Sequence, residues 1–321
     1  MPPFRPLVSN PHLLIVLSNF WRHTLDTQHH PVESHLYRTD PDVQVLVETQ
    51  QPDGEKRGEL MLVHGMEGSA QSGYMLTMAQ AGLEAGYTVH RFNIRTCGGT
   101  EHLCNTLYHS GLTTDLHAVL RQFCDEGRTP AHVVGYSLGG NMVLKLAGEL
   151  GGEGRQIMAS VCAVSVPIDL AASARRLGEP VNWYYERRFL RRMRKRVAAT
   201  GRFSPDKIQR PRSLIEFDDA ITAPSFGFRG AMHYYETQSS RQFLPLIRVP
   251  ALIIQAKDDV FIPFEIFDHP AVRSNPLLRL CVTEYGSHQG FLSRSHPRFW
   301  ADAAVIEWIS EIGSRHEMAA R

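Results

Sequence analysis

A serine, an aspartate and a histidine, met in that order along 321 residues, are the side chains whose types and settings could carry out acyl transfer. The serine is Ser137, in Gly135-Tyr136-Ser137-Leu138-Gly139. The G-x-S-x-G spacing is that of a nucleophile elbow, where glycines two positions either side of the serine leave room for a strained turn between a strand and a helix. The hydroxyl then stands at a helix amino terminus, whose N–H groups and dipole favour the negative charge of an acyl-transfer transition state. At neutral pH such a serine needs a base to take its proton and an acid to orient that base. His288, flanked by glycines in Gly286-Ser287-His288-Gln289-Gly290, is the expected base, and the acid falls in the pair Asp258-Asp259.

The oxyanion formed on attack needs two fixed N–H donors, one from the residue after the nucleophile and one from an earlier strand-ending loop. Leu138 fills the first position. Met66, in His64-Gly65-Met66-Glu67-Gly68, fills the second.

These residues must be held by strands that end at one sheet edge. Ala131-His132-Val133-Val134 is a short β-branched run that reads as the elbow strand, and Val143, Leu146 and Ala147 recur at helical spacing after it. Leu60-Met61-Leu62-Val63 is a buried strand delivering His64-Gly65-Met66. A helix over about residues 74–85, a strand over 88–94 and a helix over 113–126 complete a βαβα alternation, which implies a mostly parallel sheet covered on both faces. Val43, Val45 and Val47 alternate with other residues before Pro52-Asp53-Gly54, predicting an edge hairpin that turns there. Further strands are expected over 157–166, at 251–254 ending on the aspartate pair, and at 280–283 before the His288 loop, followed by a terminal helix carrying Trp300, Val305 and Trp308. The alternation breaks down over 180–248. That segment reads as a helical cap inserted over the sheet edge, with Trp183, Tyr184, Tyr185, Phe189, Phe226 and Phe228 expected above the nucleophile. The organisation is thus an N-terminal extension over 1–40, a core over 41–179, the cap over 180–248, and the rest of the core over 249–321.

A hydrophobic content of 43% suits a sizeable core, and a net charge of +1 argues against a global basic field for nucleic acid. The five cysteines are odd in number and lack C-x-x-C spacing, so reduced thiols in a cytoplasmic protein are expected. His23, His29, His30 and His35 fit neither H-E-x-x-H nor zinc-finger spacing. No metal and no cofactor is therefore expected. The apolar run from Leu13 to Leu17 is too short to span a bilayer but must pack on something. The run Arg187 to Arg196 reads first as a solvated helix face, second as an anionic lipid-surface contact and last as a nucleic-acid contact, so peripheral membrane attachment stays open alongside the oligomeric state.

The order Ser137, aspartate, His288, each after a strand, is that of the α/β-hydrolase arrangement. Members of that fold commonly place the acid four residues before a proline. Asp259 stands so relative to Pro263, which makes it the expected acid and leaves Asp258 a structural role.

Over roughly residues 58–295 the chain resembles the YheT-like α/β-hydrolase esterases, a branch related to abhydrolase-domain lipases and to yeast medium-chain ethyl-ester synthases/esterases. The resemblance rests on His64-Gly65-Met66-Glu67-Gly68, on Asn93-Ile94-Arg95-Thr96-Cys97-Gly98-Gly99-Thr100-Glu101 and Leu107-Tyr108-His109-Ser110-Gly111, and on the elbow. It extends to Pro167-Ile168-Asp169-Leu170, Glu216-Phe217-Asp218-Asp219, Tyr234-Tyr235, and the Asp259 and His288 loops. It implies carboxylic-ester hydrolysis, expected on short- to medium-chain acyl esters, and carries the triad to Ser137, Asp259 and His288. Two departures stand out. Thr96 occupies the place of the family's glycine in Arg-Gly-Cys, and Val260 that of the proline after the aspartates. The same residues would also serve acyl transfer to an alcohol, and a hydrolase fold can be a catalytically silent binding module.

Overall fold

The computed structural model describes residues 3–21 and 24–319, with side chains described as far as 313. His23 lies outside the described residues. These residues form one eight-stranded sheet in the order β1-β2-β4-β3-β5-β6-β7-β8. The strands are β1 (Glu33–Asp40), β2 (Val43–Gln50), β3 (Gly58–Val63), β4 (Tyr87–Phe92), β5 (Ala131–Tyr136), β6 (Met158–Val164), β7 (Ala251–Ala256) and β8 (Leu278–Thr283). From β4 to β8 all pairings are parallel, and only β1·β2 and β2·β4 are antiparallel.

Parallel strands need covered crossovers, and the chain supplies them with α2 (Gly73–Glu84), α3 (Thr114–Asp125) and α4 (Leu138–Leu150), while α1 (Pro11–Phe20) precedes the sheet and α12 (Trp300–Ala319) follows its last strand. One apolar cluster packs around Val133, Met142, Val161 and Ile253, and a second, on the other sheet face, around Leu60, Val134, Leu252 and Trp308. Alternate residues of β5 thus face opposite layers, as the period of two requires.

The edge hairpin differs from the sequence expectation. It is made by β1 and β2 and turns at Pro41-Asp42, so residues 33–40, expected in the N-terminal extension, pair into the sheet. Val43, Val45 and Val47 are buried as the alternation requires. The charged Arg38 and Asp40 of β1 hid the strand, because an edge strand has one solvated face and little apolar signal.

Between β6 and β7 the described chain has no strand. It forms α5 (Leu170–Leu177), α6 (Trp183–Ala199), the short α7 (Pro205–Gln209), α8 (Leu214–Phe217) and α9 (Ala223–Ser225), and α10 (Ala231–Gln238); α11 (Pro270–Ser274) follows β7. Helix α6 presents Leu190, Met193, Arg196 and Val197 inward at spacings of three, three and one. No helix of the described residues is long and apolar enough to cross a membrane.

Candidate active site

The site is built on backbone sterics first. A Cβ on Gly135 would overlap the carbonyl of Gly139, and one on Gly139 would overlap the carbonyls of Val63 and His64. Only glycines let β5, the turn and the end of β3 come this close. Ser137 between them has φ 50° and ψ −117°, a conformation costing roughly 1–3 kcal/mol, which the surrounding packing must offset. The turn brings the hydroxyl out at the first turn of α4.

His288 reaches Ser137 from the loop after β8, its Nε2 lying 3.0 Å from the Ser137 Oγ. Its Nδ1 lies 3.1 and 3.2 Å from the two carboxylate oxygens of Asp259, which is fully buried at the end of β7. Asp259 is in turn fixed by N–H donation from Phe261 at 2.9 Å and Ile262 at 3.1 Å, and by the Gln255 amide at 3.0 Å. The structure therefore brings Ser137, His288 and Asp259 together. Asp258 points elsewhere and accepts the Ser287 N–H at 2.7 Å, bracing the loop that carries His288. Burial, with the neighbouring Asp259 charge, raises the Asp258 pKa above the ordinary carboxylate range.

The loop after β3 lies against Ser137, a Cβ on Gly65 standing 3.2 Å from the Ser137 Cβ. Gly65 N–H donates to the Tyr74 hydroxyl, Glu67 N–H to the Tyr108 hydroxyl, and Gly68 N–H to the Gly65 carbonyl. The Met66 N–H between them has no partner among the described residues, and neither has the Leu138 N–H at the start of α4. His64 sits beneath this loop, fully buried. Its Nε2 accepts the Ile94 N–H at 3.1 Å, so its Nδ1 carries the proton donated to the Gly65 carbonyl at 2.7 Å. Burial pushes its pKa down to about 4, which keeps the brace neutral.

Sequence reasoning missed what ties the helical segment between β6 and β7, the expected cap, to this loop. Arg196 of α6, 7% exposed, donates to the Glu67 carboxylate at 2.8 Å and to the Thr96 hydroxyl at 3.1 Å, and stacks over the Tyr108 ring. Tyr108 also donates to Glu67 at 3.0 Å. Thr96 is the residue found where the resembled family has glycine, and its φ of 62° is the left-handed conformation glycine adopts without strain. The hydroxyl bonded to Arg196 gives that strained position a compensating contact. A second tie comes from buried Asn182, whose amide donates to the Val260 carbonyl at 2.8 Å beside Asp259 and to the Arg176 carbonyl at 2.9 Å. In sequence, Glu67 and Arg196 are one glutamate and one member of an arginine run, and no local signal separates them from solvated charges.

A cavity of about 480 Å³ holds Ser137 and His288 in its wall. Its apolar side is formed by Leu138, Pro167, Leu170, Leu177, Tyr185, Phe189, Phe261 and Ile262, with Arg188 and Arg192 from α6 and Ile15, Ser18 and Asn19 from α1. The expected aromatic roof is corrected in part. Tyr185 and Phe189 line the cavity, whereas Trp183 and Tyr184 are exposed and Phe226 and Phe228 pack on His109. Among the described residues no group of three His, Cys, Asp or Glu side chains could hold a metal ion.

Residues 60–303 match the family model described as the alpha/beta hydrolase family. The chain is an α/β hydrolase. It is 31% identical, over 94% of its own length and 91% of the other's, to YheT of Escherichia coli (strain K12), a protein assigned by its name to the esterases. It is also 31% identical to the mouse phospholipase ABHD3 over 77% of this chain, but spans only 61% of that protein. Among solved structures, the esterase Pf2001 of Pyrococcus furiosus aligns with a TM-score of 0.59 over 97% of this chain and 99% of that one, at 16% identity, a likeness of fold. The α/β hydrolase is thus of the esterase and lipase type, an enzyme of the carboxylic-ester hydrolase class.

Proposed function

We propose that this α/β hydrolase cleaves acyl esters of medium chain length through an acyl-enzyme on Ser137. The observation that carries the reading is the continuous contact from Asp259 through His288 to the Ser137 hydroxyl, set in the wall of a largely apolar cavity. His288 Nε2 takes the hydroxyl proton as the Ser137 oxygen bonds to the ester carbonyl carbon. The electron pair displaced onto the carbonyl oxygen meets the Met66 and Leu138 N–H groups, which no acceptor among the described residues occupies. As the tetrahedral species collapses, the carbon–oxygen bond to the alcohol breaks and His288 returns its proton to the departing oxygen. Water then repeats the sequence on the acyl-enzyme, losing its proton to His288 and releasing the acid and Ser137. Asp259 holds the Nδ1 proton throughout and stabilises the transient imidazolium.

The acyl chain is placed against Leu138, Phe189 and Phe261, where each buried methylene gains roughly 0.8 kcal/mol. Esterase assays over p-nitrophenyl acetate to octanoate should show kcat/KM rising along the series. A fluorophosphonate probe should label the wild type and not Ser137→Ala, which should remain folded and lose about 10⁴-fold or more in rate. Wild-type turnover by Ser137→Ala would overturn the reading, and a flat chain-length profile would remove the acyl pocket from it.

A further inference from the structure

We infer that the mouth of the cavity is a docking surface for an anionic lipid bilayer, formed by the outer face of α6 and the exposed side of α1. Half of the large apolar side chains left exposed among the described residues lie on these two neighbouring segments: Leu13, Val16 and Phe20 on α1, and Val181, Trp183 and Tyr184 at the start of α6. Leu13, Val16 and Phe20 recur at helical spacing on one side of α1, opposite to Leu14, which is fully buried. Phe20 is 86% and Trp183 61% exposed. The two segments meet where the His12 ring stacks on Tyr185 and its Nδ1 lies 3.2 Å from the Tyr185 hydroxyl.

Cations continue this surface. Arg187, Arg188, Arg191, Arg192 and Lys195 are exposed on α6, and none has a carboxylate within salt-bridge distance among the described residues. The only acid on α6, Glu186, is turned away to accept the Leu214 N–H at 2.9 Å. Helix α1 has no Asp, Glu, Lys or Arg. Because the whole chain carries a net charge of only +1, this is a segregated patch and not part of a general positive field. Aromatic and aliphatic side chains beside unpaired arginines fit the two layers of a bilayer surface, acyl boundary and anionic headgroup. A polyanion such as RNA would engage the cations but leave Phe20 and Trp183 without a role. The position adds a functional argument. Arg188 and Arg192 line the same cavity as Ser137, so an acyl ester leaving the bilayer here would enter it directly.

The test uses the full chain bearing Ser137→Ala, so that no lipid is turned over, in co-sedimentation with vesicles of phosphatidylcholine alone or with about a third phosphatidylglycerol. Binding is expected on the anionic vesicles, weakening with salt, and little on the neutral ones. Arg187→Ser, Arg191→Ser and Lys195→Ser together avoid every cavity-lining residue, and should weaken binding by on the order of a hundredfold, from about fivefold per charge. Phe20→Ser with Trp183→Ser should also weaken it, without changing its salt dependence. In the Ser137 background, both sets should hydrolyse a soluble short-chain ester as the wild type does. Equal binding to neutral and anionic vesicles, undiminished binding by the charge variant, or a short RNA binding as tightly as the vesicles while Phe20→Ser with Trp183→Ser has no effect, would each overturn the inference. Failure of the hydrolysis reading would instead appear as an unlabelled Ser137 with vesicle binding intact.

Discussion

The turn at Ser137 and the helical segment between β6 and β7, the expected cap, are held by different physics. The elbow is fixed by backbone against backbone: β5, the turn and β3 approach so closely that Gly135 and Gly139 have no room for a Cβ. The hold of the helical segment between β6 and β7 on the loops beside Ser137 is by side chains, with Arg196 on Glu67 and Thr96, and Asn182 on the Val260 carbonyl. Backbone interlocking tolerates almost no change but needs no charge. Side-chain ties span 78 to 129 residues of sequence and depend on two partners staying complementary.

The aspartate pair gives the largest break within the backbone-held half. Asp259→Asn removes the carboxylate against the His288 Nδ1 and should cost about 10³–10⁴-fold in kcat. Asp258→Asn keeps an oxygen that can accept the Ser287 N–H, so its loss should stay within about tenfold. Steady-state kinetics on one p-nitrophenyl ester ranks the two, and the reverse ranking would move the acid by one residue.

The cap's dependence on charge gives the next effect. Arg196→Met leaves the Glu67 carboxylate, itself 4% exposed, without its cation and should lower the unfolding free energy by about 3–5 kcal/mol in urea titrations. Adding Glu67→Gln removes the orphan charge while still accepting from Tyr108, and should restore most of that stability. If the double variant is no more stable than the single, the ion pair is not what holds the cap to the loop.

The smallest effect probes a weak point behind the elbow. Asp302 at the start of α12 faces Tyr136, whose hydroxyl donates to one carboxylate oxygen at 3.4 Å while the other is buried without a partner. Burial pushes its pKa up to about 7, against the lowering effect of the nearby Thr77 and Tyr136 hydroxyls. Between an unfolded value of about 3.9 and 7 the folded chain retains a proton that the unfolded chain releases, so this contribution to stability is complete at low pH and falls as pH rises through that window. Asp302→Asn cannot ionise. Its stability should exceed the wild type's by on the order of 4 kcal/mol at pH 8 and approach parity near pH 4, measured by denaturation at each pH. A pH-independent difference would assign the effect to packing.

The resemblance to the YheT-like esterases, with the fold and the ester-hydrolase class it implies, was readable in the chain and agrees with its place in the α/β hydrolase family. The reason is that parallel strands buried on both faces write continuous apolar runs, and a glycine-dependent turn writes its glycines at fixed spacing. The preference for Asp259 over Asp258 came from a proline spacing, and the opposed directions of the two carboxylates exist only in the folded loop. Edge strand β1 was misread because its pairing with β2 leaves no apolar run. The aromatic residues of the cap were named together, yet the fold sends Tyr185 and Phe189 to the cavity and Trp183 and Tyr184 to solvent. Most of all, nothing in the sequence distinguishes Arg196 from the arginines around it. Which guanidinium is buried on a carboxylate 129 positions away, and which are left facing water, depends on how α6 is rotated against the loop after β3, and only tertiary packing sets that rotation.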